Sequence, residues 1–235
     1  MFYIRATLLF LWLCITSTVG FVGCLFFWGN LNLDWFLARA FSWGGLKISG
    51  VKLRVQGQEH IEAHQPCIYT GNHQSALDLV SFGAIFPRRT ITVGKKELIY
   101  IPFFNLFYVA AGNILLDRQK RVKAFAGISK AVGVIKAKKA SVWIFPEGTR
   151  NKEGVGLLPF KKGAFYMAIG AGVPIVPIVS SSLNDIVSYR KRLFPGGPVT
   201  LRVLPPIPTV GMSMDNVDEL MNTVREKMLE ALRGL

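Results

Sequence analysis

The apolar positions of this chain fall into two regimes. From Ala6 to Leu33 there are 28 consecutive residues without a charge, bracketed by Arg5 on one side and by Asp34 and Arg39 on the other. That run is longer than the roughly 7–15 apolar residues of a signal-peptide core. At ~1.5 Å rise per residue it is long enough to cross a ~30 Å hydrocarbon layer as one tilted helix. Gly20, Gly23, Gly29 and Asn30 interrupt it and equally allow a broken, re-entrant hairpin. A second apolar stretch, Trp35 to Leu46, carries Trp35, Phe36, Phe41 and Trp43, side chains suited to the boundary between lipid tails and headgroups. Residues 1–45 are therefore read as a helical membrane anchor.

Beyond it, short apolar runs alternate with helix-length segments. Strands are predicted at Val51–Val55, Cys67–Thr70, Thr90–Val93, Asn113–Leu116, Val142–Phe145, Ile175–Val179 and Val199–Leu204. Helices are predicted at Ser75–Phe86, Phe103–Ala111, Arg121–Lys138, Lys161–Gly170 and Asp215–Leu232. This alternation implies an α/β domain over residues 46–235, with a mostly parallel or mixed sheet flanked by helices. In such folds functional groups gather in loops at the carboxyl ends of strands. The two prolines of Val173-Pro174-Ile175-Val176-Pro177-Ile178 direct that strand to an edge or a bulge, where it would wall a groove.

The charge balance changes the picture next. A formal net charge of +14 favours an anionic partner: nucleic acid, an anionic bilayer or a small phosphorylated substrate. The apolar N-terminus selects lipid, and no nucleic-acid-binding signature is present. Basic residues crowd the chain after residue 47, which puts that part on the cytoplasmic side by the positive-inside tendency. Cys14, Cys24 and Cys67 have no metal-ligand spacing and read as free buried thiols. His60 and His64 lack a third ligand alongside His73, so no metal is expected. A G-x-S-x-G elbow, a Walker A loop, a dinucleotide fingerprint and an H-E-x-x-H helix are all absent.

Candidate chemistry sits in three blocks. In Asn72-His73-Gln74-Ser75-Ala76-Leu77-Asp78 a strand runs into a helix. Five residues apart on a regular helix, side chains diverge by about 140°. His73 and Asp78 can meet only if His73 lies on the turn and Asp78 reaches back from the helix start. A carboxylate on one ring nitrogen would then leave the other free to take a proton. In Phe145-Pro146-Glu147-Gly148-Thr149-Arg150 a strand ends in a sharp turn that presents Glu147 and Arg150. In Gly112-Asn113-Ile114-Leu115-Leu116-Asp117-Arg118 a strand delivers Arg118, whose planar fork suits phosphate; Lys95 and Lys96 follow another strand. Taken singly, each block also admits a bland reading: a capping histidine, a turn with an exposed ion pair, or scattered surface charge.

Together and in this order, with Val93-Gly94-Lys95-Lys96-Glu97-Leu98 and Leu157-Leu158-Pro159-Phe160-Lys161-Lys162-Gly163-Ala164-Phe165 beside them, these blocks resemble the glycerophospholipid acyltransferase family, bacterial members above all. The similarity runs from about Leu46 to Leu204. It departs from many bacterial members in having Ser75, Ala76 and Leu77 between the histidine and the aspartate. The resemblance implies transfer of a fatty acyl group from acyl-CoA or acyl carrier protein, with no cofactor, to the 2-hydroxyl of 1-acyl-sn-glycerol 3-phosphate, giving phosphatidic acid. It implies His73 as general base with Asp78 as its partner, and Arg118, Lys95 and Arg150 on the acceptor phosphate. Glu147, Gly148 and Thr149 match the acceptor-binding block. Amides near Asn72–Gln74 or Gly148 are candidates to receive the oxyanion. The implied location is the bacterial inner membrane, with the catalytic part on its cytoplasmic face. Other acceptors, such as glycerol 3-phosphate or a lysophospholipid with a headgroup, and a non-catalytic protein binding anionic lipid, are the competing readings.

Overall fold

The computed structural model describes residues 1–117, 121–153 and 156–235, with Arg121 described by its backbone alone. The uncharged run is not one unbroken helix. It forms α1 (Phe2–Phe26), a turn, and α2 (Asn32–Ser49), two helices folded back on each other. The glycines noted in the sequence divide between two jobs. Gly29, at φ +77, makes the turn, whereas Gly20 lies inside α1, where a Cβ would meet Leu37 at 2.5 Å. Lacking a side chain, Gly20 lets α1 sit against its neighbours. The boundary expected at residue 45 falls inside α2, which continues to Ser49 and ends at Gly50.

The remaining elements are β1 (Val51–Gln56), β2 (Ile68–Gly71), α3 (Asp78–Gly83), β3 (Thr90–Lys95), α4 (Phe104–Ala110), β4 (Ile114–Leu116), α5 (Arg121–Lys138), β5 (Ser141–Ile144), α6 (Gly163–Ala171), β6 (Ile175–Ser180), β7 (Gly197–Val203) and α7 (Val217–Arg233). The strands form one mixed sheet in the order β1-β7-β6-β2-β5-β3-β4. Every neighbouring pair is parallel except β6 with β7. Alternation along the strands sorts side chains onto two faces. Ile68, Val142, Ile144 and Ile175 join the core beneath α5, α6 and α7; Tyr69, Trp143, Val176 and Ile178 join Phe82, Ile85 and Phe86 on the other face. Helices therefore cover both sides, as a largely parallel sheet requires.

Of the two positions expected for the proline-bearing strand, the edge is not the one taken: β6 lies between β7 and β2, buried throughout. A bulge resolves the conflict. Between the bridge Ile175↔Ile207 and the pair Ile178↔Val203, two residues of β6 face three of the partner segment. Pro177, within that bulge, needs no ladder donor, and its carbonyl still accepts Leu204 N at 2.8 Å.

α1 is fastened to the rest of the chain along its length. Arg5 Nη1 donates to Ser49 O at 3.0 Å and Phe194 O at 2.7 Å, and Trp12 Nε1 donates to Phe41 O at 3.0 Å. Farther along, Cys24 packs with Leu37 and Phe107. The opposite face of α1 exposes Ile4, Leu8, Leu11, Ile15, Val19 and Val22, at helical spacing. It is the one helix among the described residues long and apolar enough to cross a membrane. α2 in turn rests on α3: a Cβ at Gly83 would stand 2.8 Å from Ala38 O. Gly83→Val should therefore push α3 off α2 and destabilise the fold by about 1–3 kcal/mol, read as a lowered denaturation midpoint in detergent.

Candidate active site

The parallel strands β2, β5, β3 and β4 all end at one edge of the sheet, and the chemistry-bearing residues follow them there. After β2 the chain leaves the sheet through Asn72, whose carboxamide replaces the next rung of pairing. Its Nδ2 donates to Ser180 O at 3.0 Å, and its Oδ1 accepts Ser180 N at 2.7 Å. His73 is thus held on a turn. The helix expected from Ser75 starts only at Asp78, because Gln74 and Ser75 give their amides to a side chain instead of to a helix.

That side chain is Asp78. Its Oδ2 lies 2.6 Å from His73 Nδ1 and also accepts Gln74 N at 2.6 Å and Ser75 N at 2.9 Å. The Asp78 side chain is fully buried (0 %) and that of His73 is 19 % exposed. The imidazole stacks on Phe145, ring centroids 4.2 Å apart and planes 12° from parallel. With Nδ1 turned to the carboxylate and one ring face covered, the ring has a single orientation. Among the described residues nothing hydrogen-bonds Nε2. This is the geometry that the spacing of His73 and Asp78 demanded.

Glu147 is not on the surface. It is 1 % exposed, and each carboxylate oxygen accepts a backbone amide: Oε1 from His73 at 2.7 Å, Oε2 from Leu158 at 2.9 Å. Burial pushes its carboxyl above the ordinary glutamate value, the two amides pull it down, and the Asp78 carboxylate adds to the rise. Glu147 therefore braces the turn that carries His73, and the ion pair with an exposed Arg150 does not form. Gly148 takes φ +72, the left-handed conformation that swings the chain back, and its amide donates to Phe145 O at 3.1 Å. Thr149 and Arg150 are exposed just beyond.

Lys95 ends β3 exposed, while Lys96 is tied to Asp117 at 2.9 Å. Arg118 lies outside the described residues. The amides of His73 and Gln74, expected as oxyanion donors, are already given to Glu147 and Asp78. Gly148 N is likewise engaged.

The side chains of Asn72, Gln74 and Phe145, and Asn151 as a whole, had no role assigned from sequence. Asn72 and Gln74 flank His73; Gln74 clamps the turn to the segment after β6 by donating to Ser180 O and Ser181 O and accepting Leu183 N. Phe145 supplies the stacking surface, and Asn151 N donates to His73 O at 2.7 Å. Asn72, Gln74 and Phe145 lie within the motif strings and Asn151 directly follows one; that proximity was the only signal, and it carried no direction.

Comparison with known proteins fits this geometry. A family model described as Acyltransferase matches residues 52–181. The chain belongs to the acyltransferase family. It is 44% identical over 187 residues to the 1-acyl-sn-glycerol-3-phosphate acyltransferase of Haemophilus influenzae, covering 79% of this chain and 74% of that protein. To the human 1-acyl-sn-glycerol-3-phosphate acyltransferase alpha it is 40% identical over 186 residues, covering 79% of this chain and 65% of the human protein. The crystal structure of the 1-acyl-sn-glycerophosphate acyltransferase PlsC from Thermotoga maritima superposes with a TM-score of 0.77 at 24% identity, over 100% of this chain and 97% of that one. At that identity the likeness speaks for the fold alone.

Glu147→Ala should leave two buried amides without acceptors and cost about 1–3 kcal/mol of stability. With the His73 turn loosened, transferase turnover should fall more than affinity for the acceptor. Denaturant titration and steady-state kinetics on the same preparation check both.

Proposed function

We infer that the chain transfers a fatty acyl group from a thioester to the 2-hydroxyl of 1-acyl-sn-glycerol 3-phosphate, releasing phosphatidic acid and a free thiol. The observation that carries this is the 2.6 Å contact of His73 Nδ1 with buried Asp78, which leaves Nε2 to face a substrate. Membership of the acyltransferase family and the names of the relatives support it.

The acceptor hydroxyl is a weak nucleophile. As its oxygen attacks the thioester carbonyl carbon, His73 Nε2 takes the proton, and Asp78 stabilises the resulting imidazolium, as in a serine-protease triad. The tetrahedral intermediate collapses by breaking the carbon–sulfur bond, and the leaving thiolate recovers that proton from His73. The substrate supplies the hydroxyl, so no acyl-enzyme forms. The donor is acyl-CoA or acyl carrier protein. Arg118, with Lys95 and Arg150, holds the acceptor phosphate, and Gly148 and Thr149 shape the turn beside it. Glu147 positions His73. Aligning two substrates beside one base supplies up to roughly 7–11 kcal/mol of barrier reduction in well-aligned cases.

Both substrates carry lipid tails, which fits a bilayer as the place of work. The exposed apolar face of α1 supports membrane attachment, and the contacts along its inner face support a hairpin embedded beside the domain over a helix crossing alone. The excess of cations after residue 47 supports the cytoplasmic face of a bacterial inner membrane.

Incubation of the full chain with labelled acyl thioester and lysophosphatidate tests the reading; failure to form phosphatidic acid removes it. An acceptor panel containing glycerol 3-phosphate and phosphate-masked lysophospholipids tests the substrate, and a preference for either would reassign it. His73→Ala should lower turnover on the order of 10²–10⁴-fold, with the protein still folded and membrane-bound. Arg118→Ala should mainly raise KM for lysophosphatidate; a fall confined to kcat would contradict a ground-state phosphate contact.

A further inference from the structure

A second basic feature lies on the loop that leads into β7. Between the first turn of α1 and the loop leading into β7 is an open groove of about 430 Å³, lined by Phe2, Arg5, Arg192, Leu193 and Phe194. Three consecutive cations, Arg190, Lys191 and Arg192, are exposed beside it, and among the described residues none of them is in an ion pair. The groove is built, not incidental. Arg5 is fixed by its two bonds to Ser49 O and Phe194 O, with its guanidinium carbon 5.6 Å from the Phe194 ring. The guanidinium of Arg192 stands 5.8 Å from the Tyr3 ring. Leu193 and Tyr189 are 55 % and 57 % exposed.

We propose that this groove binds the phosphate headgroup of one anionic phospholipid of the bilayer, with Arg192 and its two basic neighbours as the recognising cations. Two features select a lipid over an acidic protein. The lining is apolar apart from the arginines, which suits a headgroup continued by acyl chains. The exposed apolar stripe of α1 also begins here, at Ile4, so cations at this end stand where headgroups meet hydrocarbon. Basic side chains beside a membrane surface attract anionic lipid and act additively.

The groove is coupled to the catalytic turn. Tyr189 OH lies 3.5 Å from Ser75 Oγ, Ser75 N is one of the three donors to Asp78 Oδ2, and Phe2 packs edge-on to Tyr189 at 5.9 Å. A lipid seated in the groove would order the loop that borders the His73 turn. The groove's cations are other residues than those assigned above to the acceptor phosphate. The proposal rests on the reading of α1 as lipid-facing, but its test in micelles does not.

The full chain, purified in a neutral detergent, is titrated with dioctanoyl phosphatidylglycerol and with dioctanoyl phosphatidylcholine, and bound lipid is counted by native mass spectrometry. One saturable phosphatidylglycerol is expected, with phosphatidylcholine binding at least tenfold weaker. Replacing Arg190, Lys191 and Arg192 together by Ala should weaken it on the order of a hundredfold, while Lys136→Ala with Lys138→Ala and Lys139→Ala, an equal charge loss near the end of α5, should not. p-Benzoylphenylalanine at Leu193 should cross-link to the lipid. Equal weakening by the two triple variants, equal binding of the two lipids, or no cross-link at Leu193 would each overturn the proposal. So would loss of acyl carrier protein binding in the loop variant with phosphatidylglycerol binding intact, which would make the surface a protein dock.

Discussion

One carboxylate oxygen organises the reactive end of this molecule. Asp78 Oδ2 receives a ring nitrogen and two successive backbone amides within 2.9 Å, and it does so with no solvent exposure. A buried charge is tolerated only where donors surround it. Here the donors are the residues whose conformation the site needs fixed. Asp78 therefore delays the start of α3, shapes the turn from His73 to Ser75, and sets the imidazole tautomer in a single arrangement. Its other oxygen, Oδ1, is buried and has no hydrogen-bond partner among the described residues.

A second carboxylate extends the same logic to the backbone. Glu147 reaches His73 N from the turn after β5, and Leu158 N from farther along the chain. His73 is consequently held at its ring by α3, at its amide by the β5 turn, at its carbonyl by Asn151, and at one ring face by Phe145. The strands β2 and β5 are adjacent and parallel, so both turns emerge at the same edge. The bulge at Pro177 keeps β6 in the sheet interior on the other side of β2, from where Ser180 closes on Asn72 and Gln74. The scaffold holds His73 from several directions, the positioning that the general-base role proposed for it would need.

The apolar N-terminal helices are joined to this scaffold through small residues. Gly20, Gly44, Gly45 and Gly83 each sit where a Cβ would press on a neighbouring helix, so α1, α2, α3 and the sheet lie in close succession. The apolar helix α1 and the turn that carries His73 are thereby kept in one body.

The linear order of residues determined a good deal by itself. All seven strands, the five helices beyond the anchor and the meeting of His73 with Asp78 were legible, because strand alternation, helix period and a five-residue reach are local constraints. The sequence also carried the glycines and prolines, but not their uses. Whether Gly20 breaks a helix or seats one, and whether Pro177 lies at an edge or in a bulge, depends on which element packs opposite. The same holds for Glu147. Its place beside an exposed-looking turn suggested substrate contact, yet the acceptors that buried amides need are satisfied across the fold, between groups 74 residues apart. Such pairings belong to no local pattern, so only the tertiary structure could decide which polar group serves the substrate and which serves the residue that does.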